Sequence, residues 1–158
     1  MQQEMSDNSD NNDKVYFAVI DTNVLVSALL SKKPDAATVL VVNAFWSGRI
    51  IPLYHEKILM EYNKVLHRKK FYFPKATVDN LILHIQEKGL RIPPTPTDEF
   101  FPDKDDIIFY EIAMTKRDEK SWLITGNDKH YPKKHFVVTP KTMMDILDGI
   151  IDPNELHD

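Results

Sequence analysis

Apolar and polar positions come in blocks along this chain rather than in residue-by-residue alternation. Continuous apolar runs at 15–20, 49–54, 90–92, 121–125 and 136–138 are separated by segments whose apolar residues recur at helical spacing. Continuous runs of this length read as strands buried on both faces, because a half-exposed strand would alternate. Between them, Val24, Leu25, Ala28 and Leu29 mark a helix over 23–31. A second helix is expected over 35–46, opening after Pro34 and stopped by Gly48. In the segment 55–69, Ile58, Leu59, Tyr62, Val65 and Leu66 form one apolar face. Further helices are expected over 75–87, closed by Gly89 as its C-cap, over 105–116, and over 140–147 with Pro140 in the first turn. The proline-rich stretch 93–103, "PPTPTDEFFPD", is a loop. Strands alternating with helices predict an α/β protein: a three-layer α/β/α arrangement around a central parallel sheet of about five strands.

The first 13 residues are polar and acidic with almost nothing to bury, and are expected to form a disordered N-terminal tail. Residues 14–150 then make a single domain, and 151–158 a short C-terminal tail. With no cysteine, the chain has no disulfide framework, zinc–thiolate site or cysteine nucleophile. A net charge of −4 argues against a passive nucleic-acid binder, although "HRKKFYF" (67–73) and "KHYPKKH" (129–135) are locally basic. No stretch is long and apolar enough to span a membrane, and the start lacks the apolar core of a signal peptide, so a cytoplasmic setting is expected.

In an open parallel sheet, ligands bind beyond the carboxyl ends of the strands. The polar residues there are Asp21-Thr22-Asn23 after the first strand and Thr125-Gly126-Asn127-Asp128 after the fourth. Asp103, Asp105 and Asp106 stand at the start of the helix at 105–116, and Glu61 lies in the helix beside Leu59 and Tyr62. Each has a plainer reading: Asp21 as a helix N-cap, Asp103, Asp105 and Asp106 as a capping cluster, Glu61 as a solvated helix residue, and 125–127 as a turn. For Asp105 capping is the preferred reading. Their joint placement at one end of one sheet favours a site instead. Carboxylates packed together repel, and a divalent cation removes the repulsion. Oxygen ligands without cysteine point to Mg²⁺ or Mn²⁺, which orient water for attack on a phosphate.

Four blocks in order, "AVIDTNVLVSALL", "ILMEYNKVL", "PDKDDIIFYEIA" and "WLITGNDKHYP", resemble the PIN-domain proteins, and within them the toxin components of toxin–antitoxin systems. The similarity runs from about Val15 to Leu147. The resemblance implies a metal-dependent ribonuclease fold in which Asp21, Glu61, Asp106 and Asn127 are the catalytic positions. Asp21, Glu61 and Asp106 would be the metal ligands, with Asn23, Asp103, Thr125 and Asp128 supporting. Many members carry Asp where Asn127 stands. This lowers the charge of the site, weakens a second metal, and leaves open whether Asn127 or Asp128 fills the fourth position. Lys129, His130, Lys133 and Lys134 are candidates to meet the RNA backbone, although a solvated loop is their plainer reading. The resemblance also implies a small antitoxin partner and self-association, with a dimer expected.

Other classes fit less well. A haloacid-dehalogenase-type phosphoryl transferase wants a second Asp where Asn23 stands, and a dinucleotide fold wants a glycine-rich turn after the first strand. The non-enzymatic alternative is a catalytically weak PIN-fold interaction module.

Overall fold

The computed structural model describes residues 14–158; the segment expected as an N-terminal tail lies outside the described residues. Strands β1 (Tyr16–Ile20), β2 (Ile50–Tyr54), β3 (Leu90–Arg91), β4 (Trp122–Ile124) and β5 (Val137–Val138) form one parallel sheet in the order β3-β2-β1-β4-β5. The helices are α1 (Thr22–Leu30), α2 (Ala37–Trp46), α3 (Glu56–Leu66), α4 (Lys75–Lys88), α5 (Ile107–Thr115) and α6 (Pro140–Leu147). This is the three-layer α/β/α architecture. Helix α2 packs on β2 and against α1 and α6; α5 lies on β1, β2 and β4; α3 pairs with α4 and reaches α1 and α5.

β1 is the central strand, and its inner residues Ala18, Val19 and Ile20 are fully buried, as are Trp122, Leu123 and Ile124 of β4. Each large aliphatic or aromatic side chain taken out of water in this way stabilises the fold by roughly 1.5–3 kcal/mol. The continuous apolar runs therefore follow from strands with helices on both sides. Ile20 pairs with Ile124, and the ladder continues one step further, with Asp21 N donating to Ile124 O at 2.9 Å and Thr125 N to Val138 O at 2.9 Å. This register sets Asp21 and Thr125 side by side at the carboxyl edge of the sheet.

Two boundaries differ from expectation. Helix α3 stops at Leu66, three residues short of the expected end, and a 3-10 turn over Lys69–Phe71 follows. Helix α5 begins at Ile107, after a 3-10 turn over Lys104–Asp106 capped by Asp103, whose Oδ1 accepts from Asp105 N at 2.9 Å. Gly89 is the C-cap of α4, but its backbone is extended rather than left-handed. Glycine is needed there for space, since a Cβ would lie 2.4 Å from Ile85 O and 2.5 Å from Pro52 O. Residues 151–158 lie against the body: Ile151 and Leu156 pack on the core, and Asp158 Oδ1 accepts from His135 N at 2.6 Å. Among the described residues no helix is long and apolar enough to cross a membrane.

Candidate active site

Asp21 stands where β1 ends and α1 begins, and its side chain is buried. Its Oδ1 caps α1 only weakly, accepting from Asn23 N at 3.4 Å. Its Oδ2 is held firmly, by Thr125 Oγ1 at 2.9 Å and the Tyr131 hydroxyl at 2.9 Å. The cap reading of Asp21 holds in loose form, and the other oxygen is fixed by residues that follow β4. Thr125 is the hub. Its hydroxyl donates to Asp21 and accepts from Asn127 N at 2.9 Å and Asn23 Nδ2 at 3.5 Å. Asn23 Oδ1 in turn accepts from Gly126 N at 2.9 Å, and a Cβ on Gly126 would crowd that oxygen at 3.2 Å. Asn23 and Thr125 therefore stitch the turn after β1 to the turn after β4.

Tyr131 and Tyr62 complete this wall, and neither was singled out in sequence as a site residue. Tyr62 donates from α3 to Ile20 O, the carbonyl just before Asp21, and Tyr131 packs edge-on against Phe101. Burial and the nearby Asp21 charge push both phenols far above their usual range, so they act only as donors. Nothing in "NDKHYP" distinguishes Tyr131 from an ordinary loop aromatic, because its partner is 110 residues away.

Asp106 faces Asp21 from the start of α5. Burial, then repulsion by Asp21 and Asp103, push its carboxyl up to about 6, with His130 opposing. The His130 Nδ1 lies 3.6 Å from Asp106 Oδ2, so this histidine touches the site rather than serving only as a backbone-contacting cation. Asp21 is also raised, first by burial, against its hydrogen bonds. Glu61 is half-exposed on α3 and raised by desolvation and then by Asp105, with Lys64 and Arg68 opposing. Among the acids, Asp105 and then Asp103 bear on it rather than Asp21. Asp105 is exposed and does not cap; that role belongs to Asp103.

Asn127 and Asp128 are both exposed. Asn127 joins the network through its backbone N–H, while Asp128 opens a 3-10 turn and lines a cavity of about 490 Å³ with Lys129, Tyr131, Lys133 and Lys134. Lys134 also pairs with Glu99 at 3.8 Å.

Among the described residues no three His, Asp or Glu side chains converge into a ready metal cage. The donor set nonetheless fits a hard cation. Asp21 and Asp106 offer carboxylate oxygens, with Asp21 close enough to raise Asp106, and Mg²⁺ commonly takes only one or two carboxylates, keeping water in its other positions. In addition, the Thr22 hydroxyl beside Asp21 is buried without a protein partner.

By class, this is an open parallel α/β protein with carboxylates gathered at the carboxyl edge of its central strand. The family model of the PIN domain matches residues 18–129, more than half of the chain, and the protein belongs to the PIN-domain family. That family has a nuclease-type fold; its members are generally nucleases, bind RNA in general and typically use divalent metals. No curated protein and no solved structure gives a significant match.

Proposed function

We propose that this protein is a Mg²⁺- or Mn²⁺-dependent endoribonuclease and the toxin of a type II toxin–antitoxin pair. The observation that carries the nuclease reading is the pairing of buried Asp21 with Asp106 at the carboxyl edge of the sheet. The toxin assignment rests on the resemblance of the four sequence blocks, and with it come a small antitoxin partner and a dimer.

Asp21 and Asp106 would hold the cation, with Glu61 reaching it through water. When bound, the metal supplies charge neutralisation and a water acidic enough to attack a phosphodiester at neutral pH. The protein's own residues do the positioning. Thr125 and Tyr131 fix one oxygen of Asp21 and leave the other with a single weak protein contact. Asn23 and the Asn127 backbone lock the loop that carries Thr125. His130 stands beside Asp106 at the edge of the site. Lys129, Lys133 and Lys134 line the adjoining cavity and would meet RNA phosphates.

The absence of a three-carboxylate cluster among the described residues favours the second reading, an interaction module with little turnover. Cleavage of single-stranded RNA decides between them. Purified protein is expected to cut it with Mn²⁺ or Mg²⁺ and to stop with chelator or with Asp21→Asn. Metal-dependent cleavage that survives Asp21→Asn would sink the assignment of the site.

A further inference from the structure

The segment "HRKKFYFPK", 67–75, carries four lysine or arginine residues and no acid in a chain of net charge −4. It follows α3, the helix that bears Glu61. Glu61 and Lys64 are three residues apart on one face of α3, and Arg68, just beyond the end of the helix, still lies within electrostatic reach of Glu61.

The segment has a definite build. The rings of Phe71 and Phe73 stack with centroids 5.3 Å apart and planes at 12°, and Phe73 packs onto the core. Lys70 Nζ sits 5.1 Å from the Phe71 centroid. Between the two phenylalanines, Tyr72 is held at a left-handed φ of 56°, and its side chain projects outward with the residue 89% exposed. A bulky residue in that conformation is strained, and the turn that imposes it also presents the ring to solvent. His67, Arg68, Lys69, Tyr72, Phe73 and Lys75 line a cavity of about 520 Å³. Asp79 pairs with His67 and Lys75, whereas Arg68, Lys69 and Lys70 have no carboxylate within ion-pair distance among the described residues.

We propose that residues 68–75 are a platform for single-stranded RNA, with a base stacking on Tyr72 and phosphates meeting Arg68, Lys69 and Lys70. An exposed aromatic ring framed by unpaired cations is the arrangement that holds single strands without reading sequence. An apolar protein surface laid over this patch would bury those cations without partners. The proposal deepens the ribonuclease reading and rests on it: the platform would hold the strand to one side of the carboxylates, opposite in chemistry to the acidic turn at 103–106.

The test uses the full chain carrying Asp21→Asn, so that RNA is bound and not cut, with a fluorescein-labelled oligouridylate followed by anisotropy. Tyr72→Gly suits the positive φ and is expected to keep or raise the melting temperature while weakening binding roughly tenfold. Tyr72→Trp should restore affinity. The double change Lys69→Gln, Lys70→Gln should flatten the slope of log K against log salt by about 1.4. Unchanged affinity in Tyr72→Gly overturns the platform, as does conversion of a dimer to a monomer by light scattering with RNA binding intact, which would make the patch a protein interface. With the carboxylates restored, binding that depends on Tyr72 but no cleavage would keep the platform and reject the nuclease reading. Cleavage whose KM ignores Tyr72→Gly would keep the nuclease reading and reject the platform.

Discussion

The wall of the site that grows from β1 and β4 is buried and hydrogen-bonded, whereas the wall formed by α3 and the turn before α5 is more open and held apart by like charge. In the first, Asp21 oxygen, Thr125 hydroxyl and Tyr131 phenol meet at normal hydrogen-bond distances, because strand register sets Asp21 beside Thr125 and the loop after β4 brings Tyr131 onto the same oxygen. In the second, burial and neighbouring acids raise Asp106 and Glu61, and among the described residues the basic side chain within ion-pair reach of Asp106 is His130, 3.6 Å away. One wall is preorganised and the other is incomplete without added positive charge. This is the asymmetry expected if backbone structure aims one carboxylate and a cation gathers the rest.

The comparison breaks most visibly at Asp21. Asp21→Asn keeps the size of the side chain but removes the charge, and metal-dependent RNA cleavage should fall by roughly a hundredfold or more, since partners of metal ligands alone are worth 10–100-fold. A gel assay on labelled single-stranded RNA measures it. Tyr131→Phe removes one donor from the preorganised wall without touching the metal-facing oxygen. Activity should fall about tenfold, with a stability loss of about 1 kcal/mol seen in urea denaturation. Equal activity would mean that Thr125 alone fixes Asp21.

The charged wall is sharpened by pH. Asp106 has its carboxyl raised to about 6, so its protonated form favours the fold. That stabilisation is present below the ordinary carboxylate range and is lost as pH rises through about 6. In chelator, the melting temperature of Asp106→Asn should therefore exceed that of the wild type at pH 7 and match it near pH 4, with Mn²⁺ closing the gap at pH 7 for the wild type only. No pH-dependent difference would mean that neither burial nor the neighbouring acids perturb Asp106. The smallest effect is expected at Glu61. Glu61→Gln should reduce cleavage only several-fold, because the acids that bear most on Glu61 are Asp105 and Asp103. A loss as deep as that of Asp21→Asn would place it directly on the metal.

Much of the fold was legible because burial on both sheet faces writes itself as unbroken apolar runs; β1 and β4 fall inside 15–20 and 121–125. Strand ends and helix starts were less legible where a cap overrides periodicity. The 3-10 turn before α5 is set by Asp103, and apolar spacing alone cannot show it. In the site, Asp21, Thr125 and Asp106 could be placed because each directly follows a strand or opens a helix. Tyr131 could not, nor could the approach of His130 to Asp106, since both are contacts between sequence-distant residues. Asn127 shows a different limit: a catalytic place was read for its side chain, whereas the bond that ties it into the network is its backbone N–H donating to Thr125 Oγ1, which the sequence does not show.

The central claim is that Asp21 and Asp106 together hold one divalent cation. Titration of the chelated, full-length protein with Mn²⁺ by isothermal calorimetry tests it most directly, with Asp21→Asn and Asp106→Asn as parallel samples. The account predicts saturable heat for the wild type and its loss in both variants, with their folds intact by circular dichroism. Saturable heat that is unchanged in either variant, or no metal-dependent heat in the wild type, would contradict it.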